Sequence, residues 1–393
     1  MRAVAPGSTL PASAYNDCVA STPMTSIPFL RPHLVTLEAF EPYLRRMEQT
    51  RCYSNFGPLN DAFEKRLLAD FFGGSGALTT VNNATTGLIL AISLMKKPGA
   101  RYAVMPSFTF AATPLAAMWA GLEPYFVDVD ADTFSVSEAS LAAALDRLGP
   151  EAAVVVPYAA FGSAIDVAPY ARLVATGLPV VVDAAASTGT THAGAGFGTG
   201  FRGAIVFSLH ATKAFGVGEG GLVYSGDEAF VARAREAANF GFDAHKVSAL
   251  QGLNGKLPEM AAAVGLATLD AFAAKKSRRL QLYAWYREAI ERRGLPASGW
   301  AMQHEQGEIP RQFFPLLCPE GQSNEAVAAV LQQRGIDIRL YFRPACHEQP
   351  AFAGFRREAL PVTESLSRRA LSLPLWEEMT REQVNTVVEA LPA

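Results

Sequence analysis

One lysine is set in unusual surroundings. The run Ala204-Ile-Val-Phe-Ser208-Leu-His210-Ala-Thr212-Lys213-Ala-Phe-Gly-Val-Gly218-Glu-Gly-Gly221 leaves an apolar stretch at Phe207. It crowds Ser208, His210, Thr212 and Lys213 into a turn and closes on glycines. Lysines are seldom buried without a partner, and burial disfavours the ammonium form. A desolvated amine is a nucleophile suited to Schiff-base chemistry on a carbonyl. Taken alone, the stretch also admits an ordinary exposed loop lysine.

Three further segments bear on such chemistry. Val180-Val-Val-Asp183-Ala-Ala-Ala sets one carboxylate directly after a buried strand. A carboxylate there could stand beside the ring nitrogen of a pyridoxal group, whose protonated ring is an electron sink; otherwise Asp183 is an N-cap for the next helix. Val81-Asn-Asn-Ala84-Thr85-Thr86-Gly runs from a strand into a helix through small polar residues. Free amides at a helix N-terminus, with a threonine hydroxyl, form a phosphate site, although capping by Asn83 or Thr85 accounts for the same residues. Pro106-Ser-Phe-Thr-Phe110 puts an aromatic ring just past a strand end, where it could stack on a flat cofactor or simply fill core.

The elements that must position these groups are legible as alternating short apolar runs and Ala/Leu-rich segments. Strands are expected at Leu78–Val81, Tyr102–Met105, Glu123–Val127, Ala153–Val156, Pro179–Val182, Ala204–Phe207 and Gly221–Tyr224. Helices are expected at Gly87–Met95, Thr113–Ala120, Ser137–Leu148 and Asp166–Thr176. This is the pattern of an α/β fold with a mostly parallel, seven-stranded sheet flanked by helices, in which ligands gather at the carboxyl ends of the strands. Beyond Asp227 the texture changes. One long helix spans Pro258 to Arg293, and then come strand-like Phe313–Leu317, a helix at Asn324–Arg334, strand-like Asp337–Tyr341 and a closing helix at Arg381–Leu391. The organisation read from this is an extension at 1–26 without fixed structure, a large α/β domain at 27–250 and a smaller α+β domain at 251–393.

Composition bounds the function. Half of the 393 residues are apolar, 18% are charged and the net charge is −3, which argues against a nucleic-acid-binding surface. No apolar run reaches bilayer length, and the first 25 or so residues fail as a signal peptide. Cys18, Cys52, Cys318 and Cys346 show no framework spacing, so a reducing, cytoplasmic setting is expected. The histidines show no metal-ligand spacing, and no metal is expected. Gly194-Ala-Gly-Phe-Gly-Thr-Gly200 mimics a dinucleotide fingerprint but lacks the preceding strand and following helix, so it reads as a loop. The basic cluster Lys275, Lys276, Arg278 and Arg279 reads as a solvated helix face.

Together and in this order, these segments resemble the DegT/StrS family of nucleotide-sugar aminotransferases, from about Pro28 to the C-terminus. The motif Ser-x-His-x-x-Lys followed by Gly-Glu-Gly-Gly stands here as Ser208, His210, Lys213 and Gly218–Gly221. Pro106–Thr113, Phe126-Val-Asp-Val-Asp130 and Gly252-Leu-Asn254-Gly-Lys-Leu-Pro-Glu259 match as well. The resemblance implies fold type I, pyridoxal 5′-phosphate, L-glutamate as donor, a nucleotide-linked sugar as acceptor and a homodimer with shared active sites. It implies that Lys213 carries the cofactor as a Schiff base and that Asp183 pairs with the ring nitrogen. Ala84 and Thr85, with Ser208, would hold the phosphate; His210 belongs to the same cofactor-binding motif. Asn254 would reach the phosphate from the partner subunit, and Phe110 would stack on the ring. Tyr53, Asn55, Arg339, Tyr341 and His347 fall in segments that face the substrate in this family.

The chain departs from the family in two places. Ala186 stands where Gln or His usually lies near the cofactor's phenolic oxygen, and Pro157-Tyr-Ala-Ala-Phe-Gly162 replaces Pro-Val-His-Leu-Tyr-Gly. Both remove polar groups and leave the acceptor's identity open. The Asn82-Asn-Ala-Thr run resembles the branch that makes 4-amino-4,6-dideoxy sugars. The rival readings are a sugar dehydratase, in which histidine replaces the lysine, and a non-catalytic sugar-binding regulator on the same fold.

Overall fold

The computed structural model describes residues 27–392, so the extension expected at 1–26 lies outside the described residues. The strands of the large sheet are β1 (Ala77–Val81), β2 (Tyr102–Pro106), β3 (Glu123–Val127), β4 (Ala152–Val155), β5 (Val181–Asp183), β8 (Ala204–Ser208) and β9 (Gly221–Ser225). A short hairpin, β6 (Thr191–His192) and β7 (Ala195–Gly196), lies between β5 and β8. Ladders join β1-β9-β8-β5 and β3-β2-β4. The halves meet where Val155 N donates to Pro179 O at 2.9 Å and Asp183 N donates to Pro157 O at 2.8 Å. The order across the sheet is therefore β1-β9-β8-β5-β4-β2-β3, with β9 antiparallel to both its neighbours and the other pairings parallel. All seven expected strands are present. The glycine-rich segment 194–200 carries the hairpin turn and leads into β8 with no helix between, as its reading as a loop requires.

Side chains alternate between two cores, as the period of two in a strand demands. Met105, Val154, Val181, Val206 and Val223 face one core; Val104, Val155, Val182, Ile205 and Leu222 face the other. The covering helices are α1 (Leu37–Thr50), α2 (Pro58–Phe72), α3 (Ala84–Met95), α4 (Ala112–Trp119), α5 (Glu138–Leu148), α6 (Ala168–Ala175), α7 (Glu228–Ala237) and α8 (Glu259–Arg292). The C-terminal elements are β10 (Phe314–Leu317), α9 (Asn324–Gln333), α10 (Pro361–Arg369), β11 (Ala370–Leu373) and α11 (Arg381–Ala390), with β10 and β11 antiparallel. Helix α8 serves two cores: Leu266, Leu269 and Phe272 pack with the large sheet, Leu282, Tyr286 and Ile290 with the C-terminal elements.

Two expectations are corrected. Asp337–Tyr341 does not form a strand. Only Arg339 pairs, with Ser372, before the chain turns back through a bond from Arg343 N to Leu340 O at 2.9 Å. The basic cluster on α8 is not a solvated face. Arg279 is 5% exposed and bonds Glu377 at 2.8 Å, Lys275 pairs with the same carboxylate at 3.3 Å, and Lys276 pairs with Glu308 at 3.4 Å. The middle of α8 runs beneath residues 305–312 and 376–379, so the charges are partnered while their aliphatic stems are covered.

Glu259 closes the large unit in a way its position at the start of α8 does not reveal. It is fully buried, and its carboxylate accepts from Leu59 N and Asn60 N, both at 2.8 Å, capping α2 from another helix. Glu259→Ala should therefore lower stability by about 2–4 kcal/mol, since two first-turn amides lose an anionic acceptor in a dry site. A loss of unfolding free energy under about 0.5 kcal/mol by urea titration would contradict this.

Candidate active site

The loops at the carboxyl ends of β2, β5 and β8 bring together groups far apart in sequence. Asp183, the last residue of β5, is 2% exposed. Its Oδ2 accepts from Thr113 Oγ1 at 2.6 Å, and Oδ1 accepts from Ala185 N at 3.1 Å. Thr113 lies in the first turn of α4 and is in turn bonded to Thr109 Oγ1 at 2.9 Å, both threonines being fully buried. No helix begins after β5, so Asp183 is not an N-cap. Burial raises its pKa; the Thr113 hydroxyl, the Ala185 amide and the Lys213 charge pull the other way.

Lys213 sits in the β8–β9 connection, its backbone N bonded to His210 O at 2.8 Å. Its side chain is not an exposed loop amine: Nζ donates to Gln312 Oε1 at 3.1 Å, and desolvation lowers its pKa to about 8 against the opposing pull of Asp183. Lysine and carboxylate are electrostatically coupled without forming a salt bridge.

The start of α3 leaves backbone amides free at a helix N-terminus. Asn83 caps it, Oδ1 accepting from Thr86 N at 2.8 Å, so capping by Asn83 is real. The Ala84 and Thr85 amides precede the first intrahelical bonds and stay available at the positive end of the helix dipole. Gly221, opposite Ser208 in the β8–β9 ladder, touches the same spot; a Cβ there would lie 2.7 Å from Ala84 N. Gly221 thus joins Ser208 to the start of α3 at Asn83 and Ala84. His210 N donates to Ser208 Oγ at 3.3 Å. Its Nδ1 lies 2.8 Å from Thr212 Oγ1, and its Nε2 faces Glu219 Oε1 at 3.6 Å. Phe110 is 58% exposed, and Asn254 is exposed beside Gly255, whose carbonyl accepts from Asn82 N at 2.7 Å. Within one chain neither residue is covered.

Comparison with known proteins decides the family. The DegT/DnrJ/EryC1/StrS aminotransferase family model matches residues 36–392. The chain belongs to this family. It is 33% identical to Protein Rv3402c of Mycobacterium tuberculosis, over 93% of this chain and 89% of that protein. To the dTDP-4-amino-4,6-dideoxy-D-glucose transaminase of Escherichia coli it is 27% identical, over 93% of this chain and 98% of that protein. A Bacillus cereus structure described as a pyridoxal-phosphate-dependent aminotransferase superposes with a TM-score of 0.91 at 42% identity, covering 93% of this chain and 99% of that one. DesI, solved in the presence of its TDP-sugar product, gives 0.82 at 34% identity, covering 94% and 93%.

The protein is a pyridoxal-phosphate-dependent aminotransferase of fold type I. Its residues fit that cofactor: a buried amine, a buried carboxylate not paired with it, and a crown of amides at a helix N-terminus pressed close by Gly221. Among the described residues no cluster of His, Cys, Asp or Glu could hold a metal, and no helix is long and apolar enough to cross a membrane.

The departures from the family pattern now have a structural meaning. Ala186 presents its backbone to Gly162, whose Cβ position lies 2.7 Å from Ala186 O. Phe161 joins Phe108, Phe134, Phe313 and Phe342 in an aromatic cluster with ring centroids 5.2–6.1 Å from its own. Tyr158, buried and bridged to Asp183 through the backbone, has its pKa raised by burial and by the Asp183 charge. The replaced loop has become an apolar wall.

Of the residues expected to face substrate, Tyr53 is 57% exposed, and Asn55 is exposed with φ of 64°. Arg339 pairs with Asp337 at 2.7 Å, and Tyr341 packs on Phe313 at 5.5 Å. His347 is buried, with Nδ1 2.7 Å from Ser107 Oγ, pinning its segment to the end of β2. Sequence reasoning missed Thr109, Thr113 and Gln312 as site residues. The two threonines lie in the matched Pro106–Thr113 run, which could have flagged them; nothing local marks Gln312. A cavity of about 460 Å³ lined by Asp130, Ser163, Asp166, Tyr170 and His304 contains none of the groups described above.

Proposed function

We propose that this enzyme transfers an amino group from L-glutamate to a keto group of a nucleotide-linked deoxysugar, working as a homodimer. The observation that carries the reading is the desolvated Lys213 amine, electrostatically coupled to a buried Asp183 carboxylate with which it makes no salt bridge. Similarity to DesI and to the Escherichia coli transaminase supports the sugar acceptor. The exposed Phe110 and Trp119, at 58% and 76%, support burial against a second copy, which would bring Asn254 to the neighbouring phosphate site.

In this reading Lys213 is the covalent anchor and the proton carrier. With a pKa of about 8, roughly a tenth of its amine is neutral at pH 7, against fewer than one in a thousand for an ordinary lysine. Nζ can then take the proton from the donor's α-carbon and return it elsewhere. Pyridoxal phosphate, when bound, supplies the electron sink. Asp183 holds the ring nitrogen protonated, Ala84 N, Thr85 and Ser208 hold the phosphate, and Phe110 covers one face. His210 buttresses the turn.

The test is an absorbance scan of the holoenzyme with L-glutamate, then with a nucleoside-diphosphate 4-keto-6-deoxyhexose. A yellow band that bleaches with glutamate, and is restored by the sugar with an amino sugar formed, is the expected result. Bleaching restored only by non-sugar ketones would overturn the acceptor, and no bleaching would overturn the donor.

Thr113→Val probes the carboxylate. Losing a 2.6 Å hydroxyl bond lets burial push Asp183 further up, so more of it is protonated at a given pH. kcat/KM should fall about 10- to 100-fold, with the acidic limb of the pH profile displaced to higher pH. An unmoved limb would count against the role given to Thr113.

A further inference from the structure

Gln312 Oε1 accepts a hydrogen bond from the Lys213 amine at 3.1 Å, from a position 8% exposed. A lysine amine at this pH is chiefly a donor, so the glutamine oxygen must face it. Gln312 Nε2 then has no hydrogen-bond partner among the described residues.

The mount is rigid. Arg311, 1% exposed, pairs with Glu305, lies over the Tyr283 ring at 4.6 Å, and has its carbonyl held by Arg279 Nη1. On the other side Phe313 packs on Phe161 at 5.2 Å. Gln312 is thus clamped between a buried ion pair and the aromatic wall that replaced the polar loop. It supplies a fixed polar group to a site lacking one at Ala186.

We propose that Gln312 is the positioning residue for Lys213: whenever the amine is free, Oε1 holds Nζ at one place from which it reaches the substrate carbon and to which it returns. This rests on the reading of Lys213 as the proton carrier. A neutral amide suits the task because it accepts from both the ammonium and the amine, whereas a carboxylate would hold the ammonium. The other charges around the Lys213 stem are Asp183 across the site and Arg31, His33, Lys275 and Arg279, which line a small cavity with it. Glu377 offsets the last two.

The test uses full-length Gln312→Leu and the isosteric Gln312→Glu. The reactivity of Lys213 toward acetic anhydride is followed against pH by peptide mass spectrometry, in protein freed of cofactor, with the 75%-exposed Lys65 as internal reference. The parental midpoint should lie near 8, about one pH unit lower in the leucine variant and about one higher in the glutamate variant. In the holoenzyme both should lower kcat at least about tenfold, with KM for glutamate little changed. If the leucine substitution disturbs folding, the glutamate variant alone decides. A parental midpoint retained in a folded variant would overturn the positioning role and leave the proposed function standing. A parental Lys213 that titrates with Lys65 would overturn both.

Discussion

Replacing Lys213 by methionine should cut turnover at least about 1,000-fold and leave a cofactor-free protein more stable than the parent at pH 7. The loss of turnover follows from removing the group proposed to carry a proton to and from the substrate carbon, an effect typically worth 10²–10⁴-fold. The gain in stability follows from burial. Lys213 titrates near 8 in the folded protein against 10.5 ordinarily. Between those values the unfolded chain binds the proton more tightly, so parental stability rises with pH, and below about pH 8 the parent bears the whole cost of a desolvated ammonium. Methionine keeps most of the stem and carries no charge. Setting the unpaired Gln312 oxygen against this, the net gain is roughly 1–2 kcal/mol at pH 7, shrinking as pH approaches 10.5. Urea unfolding at pH 7 and pH 10 with steady-state assays checks both halves. A variant that is inactive and equally destabilised at both pH values would mean that Lys213 is structural.

Such a trade of stability for reactivity explains why this part of the site was legible in the sequence. A lysine flanked by Gly216, Gly218 and Gly220, between two runs buried throughout, has no local way to stay hydrated. The seven strands were legible for a related reason: covered on both faces, they read as near-continuous apolar runs. Helices α1 and α2 carry no comparable signal. Only Met47 of α1 is buried, and α2 buries Asn60 alongside its apolar residues. The charged run on α8 misleads because residue type shows charge but not partner, and Glu377 lies about a hundred residues further on. Thr113 and Gln312 escape for the same reason: they bond Asp183 and Lys213 from 70 and 99 residues away, Thr113 from the first turn of α4 and Gln312 from the segment before β10. The family resemblance reaches the residues it assigns to the cofactor because they stand in short motifs. It marks poorly the places where this chain differs. Only the folded chain shows that the replaced loop 157–162 closes into an aromatic wall with Phe313 and Phe342.

Asp183→Asn should reduce kcat about 1,000-fold while the protein still binds pyridoxal phosphate. The substitution is nearly isosteric: the amide oxygen can keep accepting from Ala185 N while the new NH2 donates to Thr113 Oγ1, whose hydroxyl turns to Thr109, so the geometry around the end of β5 survives. What disappears is the negative charge, the one feature of this position that can hold a ring nitrogen protonated. In the proposed reading Ala84, Thr85 and Ser208 hold the phosphate at the far end of the cofactor, so affinity should fall far less than turnover. The parental pH dependence carries the complementary sign. Burial raises the Asp183 pKa, so its charge is lost as pH falls through that raised value, and turnover should decline on the acidic side with it. Asp183→Asn should abolish that acidic limb and, with the Asp183 charge no longer raising the Lys213 pKa, displace the limb set by Lys213 to lower pH. A variant within tenfold of parental kcat, or one whose acidic limb is unmoved, would show that the ring nitrogen draws its proton from another group. Thr113→Val separates the two contributions of the site. It leaves the carboxylate in place and weakens only its grip on the charge, so its defect should diminish as pH rises, whereas that of Asp183→Asn should not.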